Sequence, residues 1–120
     1  CDYTISIQTG CVDEAGTDAN INIFFLSLQG HLLPFFNIDN KDDNFEKCQL
    51  DTFNVQGECL PNEDKICEMI IERDNAGRYQ NWYIDWIKIT GAGDGPKKFD
   101  VDAWLDNDNR HKDIDLCKGL

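Results

Sequence analysis

Short runs of apolar residues with a period of two, separated by loops rich in Asp, Asn and Gly, limit what this chain can become. Tyr3, Ile5 and Ile7 alternate with Thr4, Ser6 and Gln8, and Phe99, Val101 and Ala103 alternate with Asp100, Asp102 and Trp104. That spacing places every second side chain on one face of a strand. Ile21, Ile23 and Phe25 open a second strand, and Gln29-Gly30-His31 turns it into Leu32 to Ile38 as a hairpin. Gln49 to Val55 is β-like. Lys65 to Arg73 fits a helix through Ile66, Met69 and Ile70 and a strand through Cys67, Met69 and Ile71; its β-branched content and length favour the strand. In Trp82 to Thr90, Trp82, Ile84 and Trp86 share one phase while Ile87 and Ile89 share the other, which predicts a bulge near Asp85-Trp86. Ile114 and Leu116 mark one more short element. Pro34, Pro61 and Pro96 sit at segment edges or turns. Seven or eight short strands of this kind predict an all-β antiparallel sandwich in one domain over residues 1–120.

The core of such a domain is modest. At 13.8 kDa, size scaling gives a folded surface of roughly 6,600 Å² against about 20,000 Å² for the unfolded chain. Cross-links would help, and there are six cysteines: Cys1, Cys11, Cys48, Cys59, Cys67 and Cys117. They form no CxxC pair, and the two histidines, His31 and His111, are isolated, so zinc is not indicated. Three disulfides are expected, which places the chain on a secretory or extracellular route, with Cys1 as a processed N-terminus. Cys59 and Cys67 flank the turn-like Pro61-Asn62-Glu63-Asp64 and are expected to pair locally; Cys1–Cys117 would tie the termini, leaving Cys11–Cys48.

Twenty-three acidic residues face eleven basic ones, for a net charge of −12, and no basic cluster exceeds Lys97-Lys98. Nucleic acid and a bare anionic membrane would be repelled. Catalysis is poorly supplied: Ser6 and Ser27 lie inside expected strands, and no GxSxG or SxxK motif is present. Gly91-Ala92-Gly93-Asp94-Gly95 lacks the Gly-Lys-Ser/Thr ending of a phosphate loop and reads as a surface turn. Calcium takes six to eight oxygens from carboxylates, amides and carbonyls. Residues 13–20, residues 39–44, and Asp74-Asn75 with Asn81 are rich in these. Asp106 to His111 begins like an EF-hand loop, but His111 takes the glycine position and Cys117 the glutamate position. Composition alone leaves calcium loops and solvated turns both open.

A more specific pattern runs through these segments. Tyr3-Thr4-Ile5-Ser6-Ile7-Gln8-Thr9-Gly10, then Ala15-Gly16-Thr17-Asp18-Ala19-Asn20-Ile21, resembles the opening of the PLAT/LH2 domain. Asn44-Phe45-Glu46, Asp51-Thr52-Phe53, Arg73-Asp74-Asn75-Ala76-Gly77 and Trp82-Tyr83-Ile84-Asp85 extend the likeness to Ile89, and more loosely through Trp104-Leu105. The cysteine positions resemble the small secreted plant forms, the embryo-specific protein 3 and stress-protein group. The resemblance implies an eight-stranded sandwich of two four-stranded sheets and a non-enzymatic module that binds a lipid surface or a protein partner, often with calcium at one end. It implies Glu14, the Gly16 carbonyl, Asn81 and the Trp82 carbonyl around one calcium. It implies Thr17, Asp18, Asn40, Asp42 and Asn44 around a second, with Asp43 adding charge. It also offers Trp82 as a side chain that can meet a membrane, against core packing; Phe35, Phe36 and Trp86 are further candidates, Trp86 because the bulge phase sets it opposite Ile87. The alternative function is a calcium-independent protein- or glycan-recognition module.

Overall fold

A computed structural model describes residues 1–17, 19–39, 45–61, 63–74, 81–91, 95–106 and 108–119. Eight strands form in chain order: β1 (Asp2–Thr9), β2 (Ile21–Ser27), β3 (Leu32–Phe35), β4 (Leu50–Gln56), β5 (Ile66–Arg73), β6 (Trp82–Thr90), β7 (Lys97–Leu105) and β8 (His111–Asp115). A 3-10 turn at Cys117–Gly119 follows. The strands form two four-stranded sheets, β4-β1-β6-β7 and β3-β2-β5-β8, with every neighbouring pair antiparallel. This is the two-sheet sandwich that the alternation implied.

Alternation decides which residues fill the space between the sheets. Ile5 and Ile7 of β1, Ile21, Ile23 and Phe25 of β2, Met69 and Ile71 of β5, and Ile87 and Phe99 of β6 and β7 are fully buried. Phe25 links Phe35 and Phe99 across the core, each with ring centroids 6.1 Å away. The folded surface of 6882 Å² matches the size expected for a compact chain of this mass.

The expected bulge is present. β6 pairs Gln8 with Trp86 but Thr9 with Ile84, so Asp85 is an extra residue against β1, and the β6–β7 register shifts at the same place. The shift lets Trp82 and Ile84 face the core ahead of it and Ile87 and Ile89 face the core after it. Trp86 is thereby turned outward, where the ammonium groups of Lys98 and Lys88 lie 5.1 and 6.0 Å from its ring centroid.

Several expectations need correction. The hairpin strand expected to reach Ile38 stops at Phe35: Asn37 takes φ 48°, and Ile38 returns to the core by donating its amide to the Ile21 carbonyl at 3.0 Å. Leu116 lies outside β8 and is exposed. Two of the three expected disulfides are wrong. The bonds are Cys1–Cys59, Cys11–Cys48 and Cys67–Cys117. Strand pairing is the reason. β1 lies against β4, so Cys1 and Gly57 exchange backbone hydrogen bonds and Cys59 arrives beside Cys1. β5 lies against β8, and the Leu116 amide donates to the Cys67 carbonyl at 2.8 Å, which brings Cys117 to Cys67.

Candidate metal centre at one end of the sandwich

The strands run alternately up and down, which brings the β1–β2, β3–β4, β5–β6 and β7–β8 connections to one end. Three of these contain the acidic stretches singled out in the sequence. Backbone bonds draw the first two together. Thr17 donates its amide to the Phe45 carbonyl at 2.9 Å, Cys48 donates to the Gly10 carbonyl at 2.9 Å, and the Cys11–Cys48 disulfide closes the same junction. The start of β6 joins them: Gly10 donates to the Tyr83 carbonyl and Tyr83 donates to the Ala15 carbonyl, at 2.8 and 2.9 Å.

Gly16 is required here by close approach. A Cβ at this position would stand 2.9 Å from the Phe45 carbonyl oxygen and 3.1 Å from the Glu46 Cα, so any side chain would push the two loops apart. Beneath the loops Phe45 acts as an anchor. Its ring is buried 5.0 Å from Trp82 and 5.7 Å from Phe53, and its amide donates to a buried Asp51 carboxylate oxygen at 2.8 Å. Phe45 takes φ 62°, a left-handed conformation held by these contacts.

Of the residues expected around calcium, Glu14 is exposed at φ 62°, Asn81 is exposed, and Gly16 lies half-buried against the second loop. Thr17 is buried, and its hydroxyl accepts the Ala19 amide at 3.2 Å. The Trp82 indole is fully buried and donates to the Thr9 hydroxyl at 2.9 Å, so this tryptophan packs the core and can offer a metal only its backbone. Asp18, Asn40, Asp42, Asp43 and Asn44 lie outside the described residues. What the described residues offer a hard cation here is the exposed side-chain oxygens of Glu14 and Asn81 beside the backbone convergence of the first and second loops with β6.

Neighbouring acids differ. Asp13 pairs with Lys47 at 3.0 Å at the surface. The Asp74 carboxylate accepts the amide and the side-chain nitrogen of Asn20, at 2.9 and 2.7 Å, so it fastens the entry of β2 to the end of β5. Asp106 accepts the amides of Asp108 and Asn109, which makes the EF-hand-like stretch a turn. Sequence reasoning quoted Arg73 in a motif but gave it no role. It is buried, donates through Nε to the Leu105 carbonyl and through a terminal nitrogen to the Asp74 carbonyl, and has its pKa lowered by desolvation and by Arg110. Its inward phase on β5, two residues after Ile71, is the signal that would have found it.

The family profile for embryo-specific protein 3 (ATS3) matches residues 1–117. The chain belongs to this family. PLAT domain-containing protein 1 of Arabidopsis thaliana is 30% identical over 119 residues, covering 90% of this chain and 65% of the relative. Lipoxygenase homology domain-containing protein 1 of Mus musculus is 36% identical over 89 residues, covering 73% of this chain and 4% of that protein. The chain thus spans under two thirds of the length of these curated relatives. A crystal structure of coral 8R-lipoxygenase, described as calcium-activated via a C2-like domain, superposes with a TM-score of 0.81 at 21% identity, covering 96% of this chain and 17% of that one. The embryo-specific protein 3 family is thereby joined to the PLAT sandwich by sequence and by fold.

Proposed function

We propose that this PLAT domain is a secreted, non-enzymatic module that binds calcium at its acidic end and uses the ion to associate with a lipid surface. The observation that supports the reading is the junction of residues 15–17 with residues 45–48, where the Thr17–Phe45 hydrogen bond and the close approach at Gly16 join the described parts of the two loops. Glu14, Gly16, Asn81 and the Trp82 carbonyl would surround one ion. Thr17, Asp18, Asn40, Asp42 and Asn44 would surround another, with Asp43 beside them. Each ion adds two positive charges to a negative rim and can share ligands with lipid phosphates.

Apolar side chains at the same end support docking. Val12, Phe36 and Leu50 are exposed there, whereas Phe35 is buried. The calcium activation described for the coral enzyme's C2-like domain supports the ion. Three disulfides support a secretory route, and a stress role follows from the plant group alone. Sedimentation with phosphatidylserine vesicles tests the mechanism. Binding in calcium that is reversed by chelator is expected; binding unchanged by either removes it. The Val12→Ser and Phe36→Ser variants should weaken the calcium-dependent binding without altering calcium uptake.

A further inference from the structure

The outer face of the β3-β2-β5-β8 sheet is divided into an apolar half and an acidic half. Cross-strand pairs set Leu32 beside Leu26, Pro34 beside Phe24, and Phe24 beside Ile70. Phe36 closes the row against Phe24, ring centroids 5.5 Å apart. Leu32 and Phe36 are 50% and 65% exposed, far more than a sheet that covers its own surface would leave them. On the other half, Glu68 pairs with Asp115, Ile70 with Asp113, and Glu72 with His111, so four carboxyls border the apolar row. Lys112 pairs with Ile71 and belongs to the opposite phase.

The free edge of β3 is poorly suited to strand addition. The Ser27 amide bonds the His31 carbonyl, so in alternation Pro34 falls where backbone groups point away from β2, and it has no N–H to offer there. Recognition is therefore by the face.

We propose that this face docks a cationic, amphipathic polypeptide segment of a partner protein, its apolar side chains on Leu32, Leu26, Phe24 and Ile70 and its Lys/Arg side chains over Glu68, Glu72, Asp113 and Asp115. Charge complementarity selects this occupant. The border repels a second copy of this acidic chain and the anionic headgroups of a membrane, while apolar and positive groups in one segment satisfy both halves. It does not rest on the calcium reading.

Amide chemical-shift mapping with a synthetic amphipathic Leu/Lys peptide, in chelator, tests it. Shifts are expected at residues 22–26, 32–36, 68–72 and 111–115. The same peptide with Glu for Lys should not bind. Leu32→Ser with Phe24→Thr should weaken binding about tenfold or more, the equivalent of about 1.4 kcal/mol. Glu72→Gln with Asp113→Asn, which leaves the apolar row intact, should weaken it and flatten its salt dependence. Shifts confined to the end loops, equal binding of the Glu peptide, or wild-type affinity in the charge variant would overturn the proposal, as would tighter binding of phosphatidylcholine vesicles to the same amides.

Discussion

The two ends of the sandwich differ in how much of their negative charge stands in solvent. At the end bearing the β2–β3 and β4–β5 connections, Asp64 is buried and its oxygens are satisfied from within. It accepts the amides of Gln29 and Lys65, at 3.1 and 2.9 Å, and faces His31 Nδ1 at 2.8 Å. Desolvation pushes its pKa up, but hydrogen bonds from Ser27, His31 and those amides outweigh it and hold the carboxyl below its ordinary value. Cys1–Cys59 and Cys67–Cys117 close the same end. The acidic-loop end has one disulfide and also encloses Asp51, which accepts the Phe45 amide, but leaves Glu14 and the Lys47-paired Asp13 at the surface. A carboxylate enclosed by donors stabilises a fold, whereas exposed carboxylates on a fixed backbone are where the proposed calcium would act.

The largest effect that can break this contrast is loss of a disulfide. Replacing Cys67 and Cys117 by Ala opens a loop with a sequence separation of 50 and should cost about 4 kcal/mol by the loop-entropy rule. Replacing Cys11 and Cys48, separated by 37, should cost about the same without calcium. With calcium that second cost should shrink, because the ion would tie the same loops, while the first stays fixed. Urea unfolding of both variants with and without calcium reads the difference.

Phe45→Ala comes next. It removes the ring between Trp82 and Phe53, with an expected loss of about 3–4 kcal/mol and weaker calcium binding. At the other end Asp64→Ala strands the Gln29 and Lys65 amides and should cost about 2–3 kcal/mol, with calcium binding unchanged. Asp13→Asn, at an exposed ion pair, should move stability by no more than about 0.5 kcal/mol.

Acidity acts in two directions. The hydrogen bond that protonated Glu68 donates to Asp113, then desolvation, then the charges of Asp113 and Asp115 push Glu68 up to about 7 from 4.5. The folded chain therefore holds a proton that the unfolded chain has released, and this stability is lost as pH rises from about 4.5 through about 7. Asp64 runs the other way: its contribution is present above 3.8 and is lost as pH falls through its lowered folded value. Urea midpoints should fall between pH 5 and 8 in the native chain, and Glu68→Gln should remove most of that fall.

Strands were legible wherever one face is buried, because the alternation of β1, β2 and β7 is the physical consequence of that burial. Even the β6 bulge showed, since Ile84 and Ile87 cannot both face inward without it. Disulfide pairing was hidden, because it depends on which strands lie side by side; the short Cys59–Cys67 separation misled, and β1 against β4 decided the matter. Asp64 looked like one more turn residue, although its buried carboxylate meets a histidine 33 positions earlier. Within the candidate site, Gly16 and Thr17 stood out by motif, but the Phe45 anchor that holds them needed the fold.

Calorimetric titration of calcium into the native chain and an Asp18→Asn/Asp42→Asn variant tests the central claim most directly. Saturable binding with a Kd on the order of 10⁻⁴ to 10⁻³ M, as in extracellular calcium modules, is predicted for the native chain and at least tenfold weaker binding for the variant. No saturable heat at millimolar calcium, or equal binding by both chains, would contradict it.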